Sequence, residues 1–109
     1  MPKRTRPRPE LAPFVYDFAR RLHEEVGAQK VILFGSRARG DWLQESDYDF
    51  VVVAERFEGV HFVKRPVELY QYWEGHPGVE LLCYTPEEFE RKRRQISIVR
   101  EAVREGIEL

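Results

Sequence analysis

Two aspartates one residue apart, Asp47 and Asp49, stand at the head of the apolar run Tyr48-Asp49-Phe50-Val51-Val52-Val53. Strand side chains alternate between faces, so the two carboxylates share one face, roughly 7 Å apart along the chain. Aspartate is a poor strand former, and two charges on one face of an apolar strand cost stability unless something neutralises them. A divalent cation is the natural partner; Mg2+ prefers carboxylate oxygen and usually shares its shell with substrate phosphates. Composition sharpens the point. The chain has four Asp against fifteen Glu, yet both positions use the rarer, shorter carboxylate.

Upstream, the apolar run Val31-Ile32-Leu33-Phe34 ends abruptly in Gly35-Ser36-Arg37-Ala38-Arg39-Gly40. A glycine after a strand lets the backbone turn tightly and approach a ligand. The amides that follow, at the start of a short helix, can face an anion. Ser36 adds a hydroxyl donor, and Arg37 and Arg39 add positive charge. Loop arginines are also commonly solvated, or paired here with Asp41 or Glu45. Ser46, just before Asp47, has two open readings: a local hydrogen bond or a contact with a nucleotide. One end of a small sheet thus offers phosphate donors beside metal ligands, a pairing suited to nucleoside triphosphate chemistry.

Gly35-Ser36, ten residues, then Asp47-x-Asp49 resembles the signature of the nucleotidyltransferase superfamily related to DNA polymerase beta. Either half alone is a weak signal; at this spacing, each with its apolar strand, they form a strong one. The short chain and the Gly-Ser-Arg-Ala-Arg-Gly loop resemble the minimal nucleotidyltransferase branch. The resemblance covers about residues 30–85 by motif. It implies the nucleotidyltransferase fold, transfer of a nucleoside monophosphate, with ATP the expected donor, to a hydroxyl, and a helical HEPN-family partner. Some such pairs are toxin and antitoxin, a tyrosine of the HEPN toxin being the acceptor. It also implies a third carboxylate on a later strand, which completes the metal site or takes the acceptor's proton. Glu80, near the start of Val79-Glu80-Leu81-Leu82-Cys83-Tyr84, matches in place. It departs from the branch's usual Asp by one bond, roughly 1.5 Å of reach.

The remaining elements must position those groups. Leu11, Phe14, Val15, Phe18, Leu22 and Val26 recur at helical spacing and predict an amphipathic helix over 10–26, ended by Gly27, with His23 on its solvent side or edge. Residues 30–34 predict a strand buried on both faces, and 36–43 a loop and short helix anchored by Trp42 and Leu43. Residues 54–64 read as a loop and 66–73 as a second helix. Residues 75–78 read as a turn, with His76 only a turn residue. Thr85-Pro86-Glu87-Glu88 predicts a helix start with a capping box, a break near 95–97, resumption to Glu105, and a last short strand after Gly106. The expected fold is α/β (α+β): a small mixed sheet with helices packed mainly on one face.

The length of 109 residues fits one domain, 10–109, behind a basic, proline-punctuated arm over 1–9 that reads as a solvated tail. A net charge of −1 and a pI of about 6.3 argue against retention on nucleic acid by bulk charge. The cationic run Arg91-Lys92-Arg93-Arg94 reads as a solvated helical face paired with neighbouring glutamates before a docking face. The lone Cys83 excludes an internal disulfide and fits a reducing, cytoplasmic setting. No apolar run is long enough to span a bilayer. His61 stands apart from the other histidines and from Cys83, which argues against zinc.

The expectation is a nucleotidyltransferase with two Mg2+ ions at Asp47, Asp49 and Glu80, triphosphate at Gly35, Ser36, Arg37 and Ser46, and an oligomer with its partner or itself. Two alternatives stay open: transfer to a small hydroxylated molecule, and a catalytically weak subunit that neutralises its partner by contact.

Overall fold

The structure, a computed structural model, describes residues 10–40, 46–75 and 78–109. The basic arm, the Trp42–Leu43 anchor and the His76 turn lie outside the described residues.

Pro13 opens the first helix, α1 (Pro13–Arg21), at the position where proline costs no hydrogen bond. Val15, Phe18 and Ala19 form its buried stripe. One wider π turn over Leu22–Val26 continues that stripe, and Gly27 stops it in the left-handed conformation at φ 74°. His23, expected on the solvent side or edge of the helix, is half-buried. Its Nδ1 lies 2.7 Å from the Ala28 carbonyl and its Nε2 2.9 Å from the Leu109 carbonyl, so it ties the helix end to the last strand.

Four strands follow: β1 (Lys30–Phe34), β2 (Tyr48–Val53), β3 (Val79–Tyr84) and β4 (Ile107–Glu108), in the order β3-β2-β1-β4. β1 runs antiparallel to β2 and β4, and β2 parallel to β3, which makes the small mixed sheet expected. Phe34 pairs with Asp49, and Asp49 with Glu80, so the register puts Asp49 beside the end of β1 and Glu80 level with it on the far side of β2. The parallel pair needs a crossover. Its described part, residues 54–75, carries short 3-10 turns (Glu55–Phe57, Phe62–Lys64, Val67–Tyr72), where the sequence predicted a regular helix over 66–73.

The sheet buries both faces. On one, Leu33, Tyr48, Phe50, Val52, Leu81 and Cys83 pack under α1 and the crossover, including Phe57 and Leu69. On the other, Ile32, Phe34, Val51, Val53 and Tyr84 lie under α3 (Pro86–Lys92) and α4 (Ile98–Glu105), through Phe89, Val99 and Ala102. The helices thus divide between both faces. Alternation then puts Asp49 on the α3–α4 side, in the row that Val51 and Val53 continue inward.

The C-terminal helices form as their punctuation predicts. Thr85 caps α3, accepting from the Glu88 amide at 3.2 Å while the Glu88 carboxylate accepts from the Thr85 amide at 2.9 Å. Ser97 caps α4 after the break. Glu88 has a second partner that no local pattern announces. Arg65, on the crossover, binds it with two nitrogens, at 2.6 and 3.1 Å, and also donates to the Cys83 and Val60 carbonyls. The Arg65 side chain is only 8% exposed, so this fork pins an otherwise irregular crossover to β3 and α3.

The hydrogen bond from Arg65 holds the Glu88 carboxyl at about 2, below the ordinary 4.5. A depressed folded value means that its contribution is complete above about pH 4.5 and fades as the pH falls toward 2. Glu88→Gln is expected to destabilise the chain by about 2 kcal/mol at pH 7 and by progressively less below pH 4, as measured by urea denaturation across pH. Burial pushes the Cys83 thiol up to about 12. The native chain is therefore expected to resist thiol alkylation at pH 8 and to react fully once denatured.

Candidate active site

The site forms where β1 ends and β2 and β3 begin. Gly35 leaves β1 at φ 75°, ψ −159°, a conformation open to glycine and strained for other residues. Its missing side chain is also required by space. A Cβ there would stand 2.7 Å from Asp49 Oδ2. The turn out of β1 and the second aspartate are thus in contact. After Gly35 the chain winds into one short helix, α2 (Ser36–Arg39), closed at Gly40. The Gly35 carbonyl accepts from the Ala38 and Arg39 amides, and the Ser36 carbonyl from Gly40. Among the described residues no hydrogen bond engages the Ser36 amide or hydroxyl, so both donors are available.

The three carboxylates meet at this sheet end. Asp49 is half-buried, and its carboxyl is raised above the ordinary value, first by burial, then by the charges of Glu80 and Asp47 and a hydrogen bond with Glu80. Asp47 is exposed, one residue before β2 begins, and its Oδ1 would lie 3.4 Å from a Cβ on Gly78. Among the described residues no three acidic, histidine or cysteine side chains form a ready metal cage. The donor set nevertheless fits a hard divalent cation. It consists of oxygen alone, its charges repel one another, and the missing Gly35 side chain lets Asp49 lie directly against the turn. A cation there would offset both the burial and the neighbouring charges that raise the Asp49 carboxyl.

The expected phosphate-binding residues divide. Gly35 stands against Asp49, and Ser36 opens the short helix directly after it. Arg37 does not point outward as a phosphate ligand would. It is buried, at 7% exposure, and its Nε and Nη2 donate to the Ser46 carbonyl at 3.0 and 2.9 Å. Its guanidinium carbon lies 4.4 Å from the centre of the Tyr48 ring. The planar fork fits a carbonyl and an aromatic face together, which explains its turn into the protein. Ser46 therefore meets Arg37 through its backbone. Arg39 lies 3.6 Å from Glu105 of α4, in a pair that is largely exposed.

Two neighbours of the site carried no signal in the sequence. Gly78 read only as part of a turn, yet it receives Asp47, and its carbonyl accepts from the Tyr48 amide at 3.0 Å. Tyr70 read as a packing residue, yet its hydroxyl is pushed up by burial and then by the charges of Cys83 and Glu80, which puts it within electrostatic reach of the third carboxylate. Both relations depend on the crossover's path, which alternation cannot reveal.

The sequence matches the family model of the nucleotidyltransferase domain over residues 15–104. Among solved structures, the chain is similar to one from Sulfolobus solfataricus that is provisionally described as a nucleotidyltransferase, with 26% identity, 75% of this chain and 82% of that chain covered, and a TM-score of 0.49. No curated protein matches. The family match spans β1, the Gly35-Ser36 turn, β2 and β3 with every carboxylate of the site, and on that extent the chain belongs to the nucleotidyltransferase domain family.

Proposed function

We propose that this chain transfers a nucleoside monophosphate, AMP from ATP, to a hydroxyl on a partner protein, with Mg2+ at the carboxylate cluster. The observation that carries the reading is the contact of Asp49 with Gly35, together with Glu80 and Asp47 close enough to raise the Asp49 carboxyl. Asp47 and Asp49 hold the cation, with Glu80 beside them. Bound there, Mg2+ neutralises charge on the triphosphate and eases deprotonation of the acceptor hydroxyl. The Ser36 amide and hydroxyl bind phosphate oxygens and orient the α-phosphorus. Glu80 takes the proton of the acceptor hydroxyl as its oxygen bonds to the α-phosphorus, and the bond to the bridging oxygen breaks to release pyrophosphate. The chain's contribution is positioning and charge stabilisation.

The acceptor is a tyrosine of a helical HEPN-type protein, and modification silences that partner, which makes this chain an antitoxin. This part of the reading rests on the resemblance of the Gly-Ser-Arg-Ala-Arg-Gly loop and the short chain to the minimal nucleotidyltransferase branch.

The test uses ATP labelled at the α-phosphate, Mg2+ and the protein that co-purifies with this chain. Label is expected to become covalently attached to that protein and to drop at least about 100-fold with Asp49→Asn, whose circular dichroism stays unchanged. Chelation of divalent cations should remove labelling equally. Retained labelling in Asp49→Asn would overturn the metal assignment. A stable complex without labelling would replace transfer by neutralisation through contact.

A further inference from the structure

Arg37 follows the phosphate turn directly in sequence, yet its side chain serves the opposite strand. Its Nε and Nη2 bond to Ser46 and its face covers Tyr48, the residues on either side of Asp47. Tyr48 is fixed further. Its amide donates to Gly78, and its ring packs against Phe14 and Trp73 at centroid distances of 5.7 and 5.3 Å. Asp47 itself is exposed and has no such packing. Its backbone position is therefore set by its two neighbours, and both neighbours are held by one guanidinium.

We infer that Arg37 is a positioning residue, which clamps Ser46 and Tyr48 to α2 and so holds Asp47 and Asp49 in register with the Gly35-Ser36 turn. The inference rests on the proposed function for what the carboxylates bind, but its geometry does not. The clamp makes one rigid unit of the phosphate-binding and cation-binding halves of the site. It also accounts for an arginine where lysine would supply the same charge. A lysine ammonium can neither fork onto one carbonyl in plane nor stack on the Tyr48 ring.

Sign separates this role from a simple charge effect. A cation near the carboxylates repels a second cation, so if Arg37 acted only through charge, its removal would tighten divalent metal binding. If it positions Asp47 and Asp49, its removal loosens that binding. The experiment is a Mn2+ titration of the full chain without nucleotide, read by electron paramagnetic resonance, with Asp49→Asn marking the specific site. Amide hydrogen exchange of the metal-free protein is measured alongside. Arg37→Met and Arg37→Lys are both expected to weaken Mn2+ binding roughly 10-fold. Both should speed exchange of the Tyr48 amide and leave those of Val51 and Val53 protected. Tyr48→Leu, which keeps the guanidinium, should weaken Mn2+ in the same direction, and it serves if the Arg37 variants fail to fold.

Unchanged or tightened Mn2+ binding in Arg37→Met, with loss of ATP binding, would overturn the inference and return Arg37 to the phosphates. Full rescue by lysine would overturn it as well. If the wild-type chain binds no Mn2+ at Asp49, the proposed function falls, and the exchange of Tyr48 decides the clamp alone: faster exchange in Arg37→Lys upholds it, and no change overturns it.

Discussion

The approach of one carboxylate to one backbone turn governs this molecule. Asp49 Oδ2 occupies the space where a side chain on Gly35 would be. Glycine is required there twice, for its positive φ and for the room it leaves. The antiparallel pairing of Phe34 with Asp49 makes this contact unavoidable, because a strand that ends at Phe34 must turn beside the residue paired with it. The parallel pairing of Asp49 with Glu80 then adds a second carboxylate on the other flank. Burial first, and then the charges of Glu80 and Asp47, raise the Asp49 carboxyl, which is the local cost of a site prepared for positive charge.

The rest of the fold offsets that cost and keeps the carboxylates in place. Val51 and Val53 continue the Asp49 row into a core closed by Phe89, Val99 and Ala102, so the strand is anchored inward while its outer end carries charge. On the other face, Phe18, Phe50 and Trp73 extend the ring cluster from Tyr48 down to the helix, with Phe18 to Phe50 and Phe18 to Trp73 at 5.3 and 5.0 Å. Arg37 joins that cluster from above through Tyr48. The site is thus seated on close-packed rings, whose edge-to-face contacts resist small displacements.

The crossover between β2 and β3 is held differently. It has little regular helix, and one buried fork, Arg65 with Glu88, ties it to β3 and to the cap of α3. Glu88 closes the capping box and receives Arg65 with the same carboxylate. Along the same crossover Val60, Phe62, Val63, Val67 and Tyr70 remain exposed.

Much of this was legible in the sequence, and physics explains which parts. Strands β1 and β3, the Gly27 stop, the Thr85-Pro86-Glu88 start and the break before Ser97 follow from backbone chemistry that acts over a few residues. The row that Asp49 shares with Val51 and Val53 follows from strand alternation. What lay outside such local rules needed the fold. Arg37 looked like a phosphate ligand because charge is visible in a sequence and direction is not; a carbonyl at Ser46 and a ring at Tyr48 drew it inward. His23 read as lying on the solvent side or edge of its helix, and its contact with the Leu109 carbonyl, 86 residues away, arises only when the last strand closes on β1. Arg65 sat in a segment without periodicity, and its partner is 23 residues away. The sequence by itself determined the chemical types at the site and the elements that carry them. The tertiary structure decided which charges meet which, because hydrogen bonds and ion pairs between distant segments depend on strand order and packing, which no local pattern encodes.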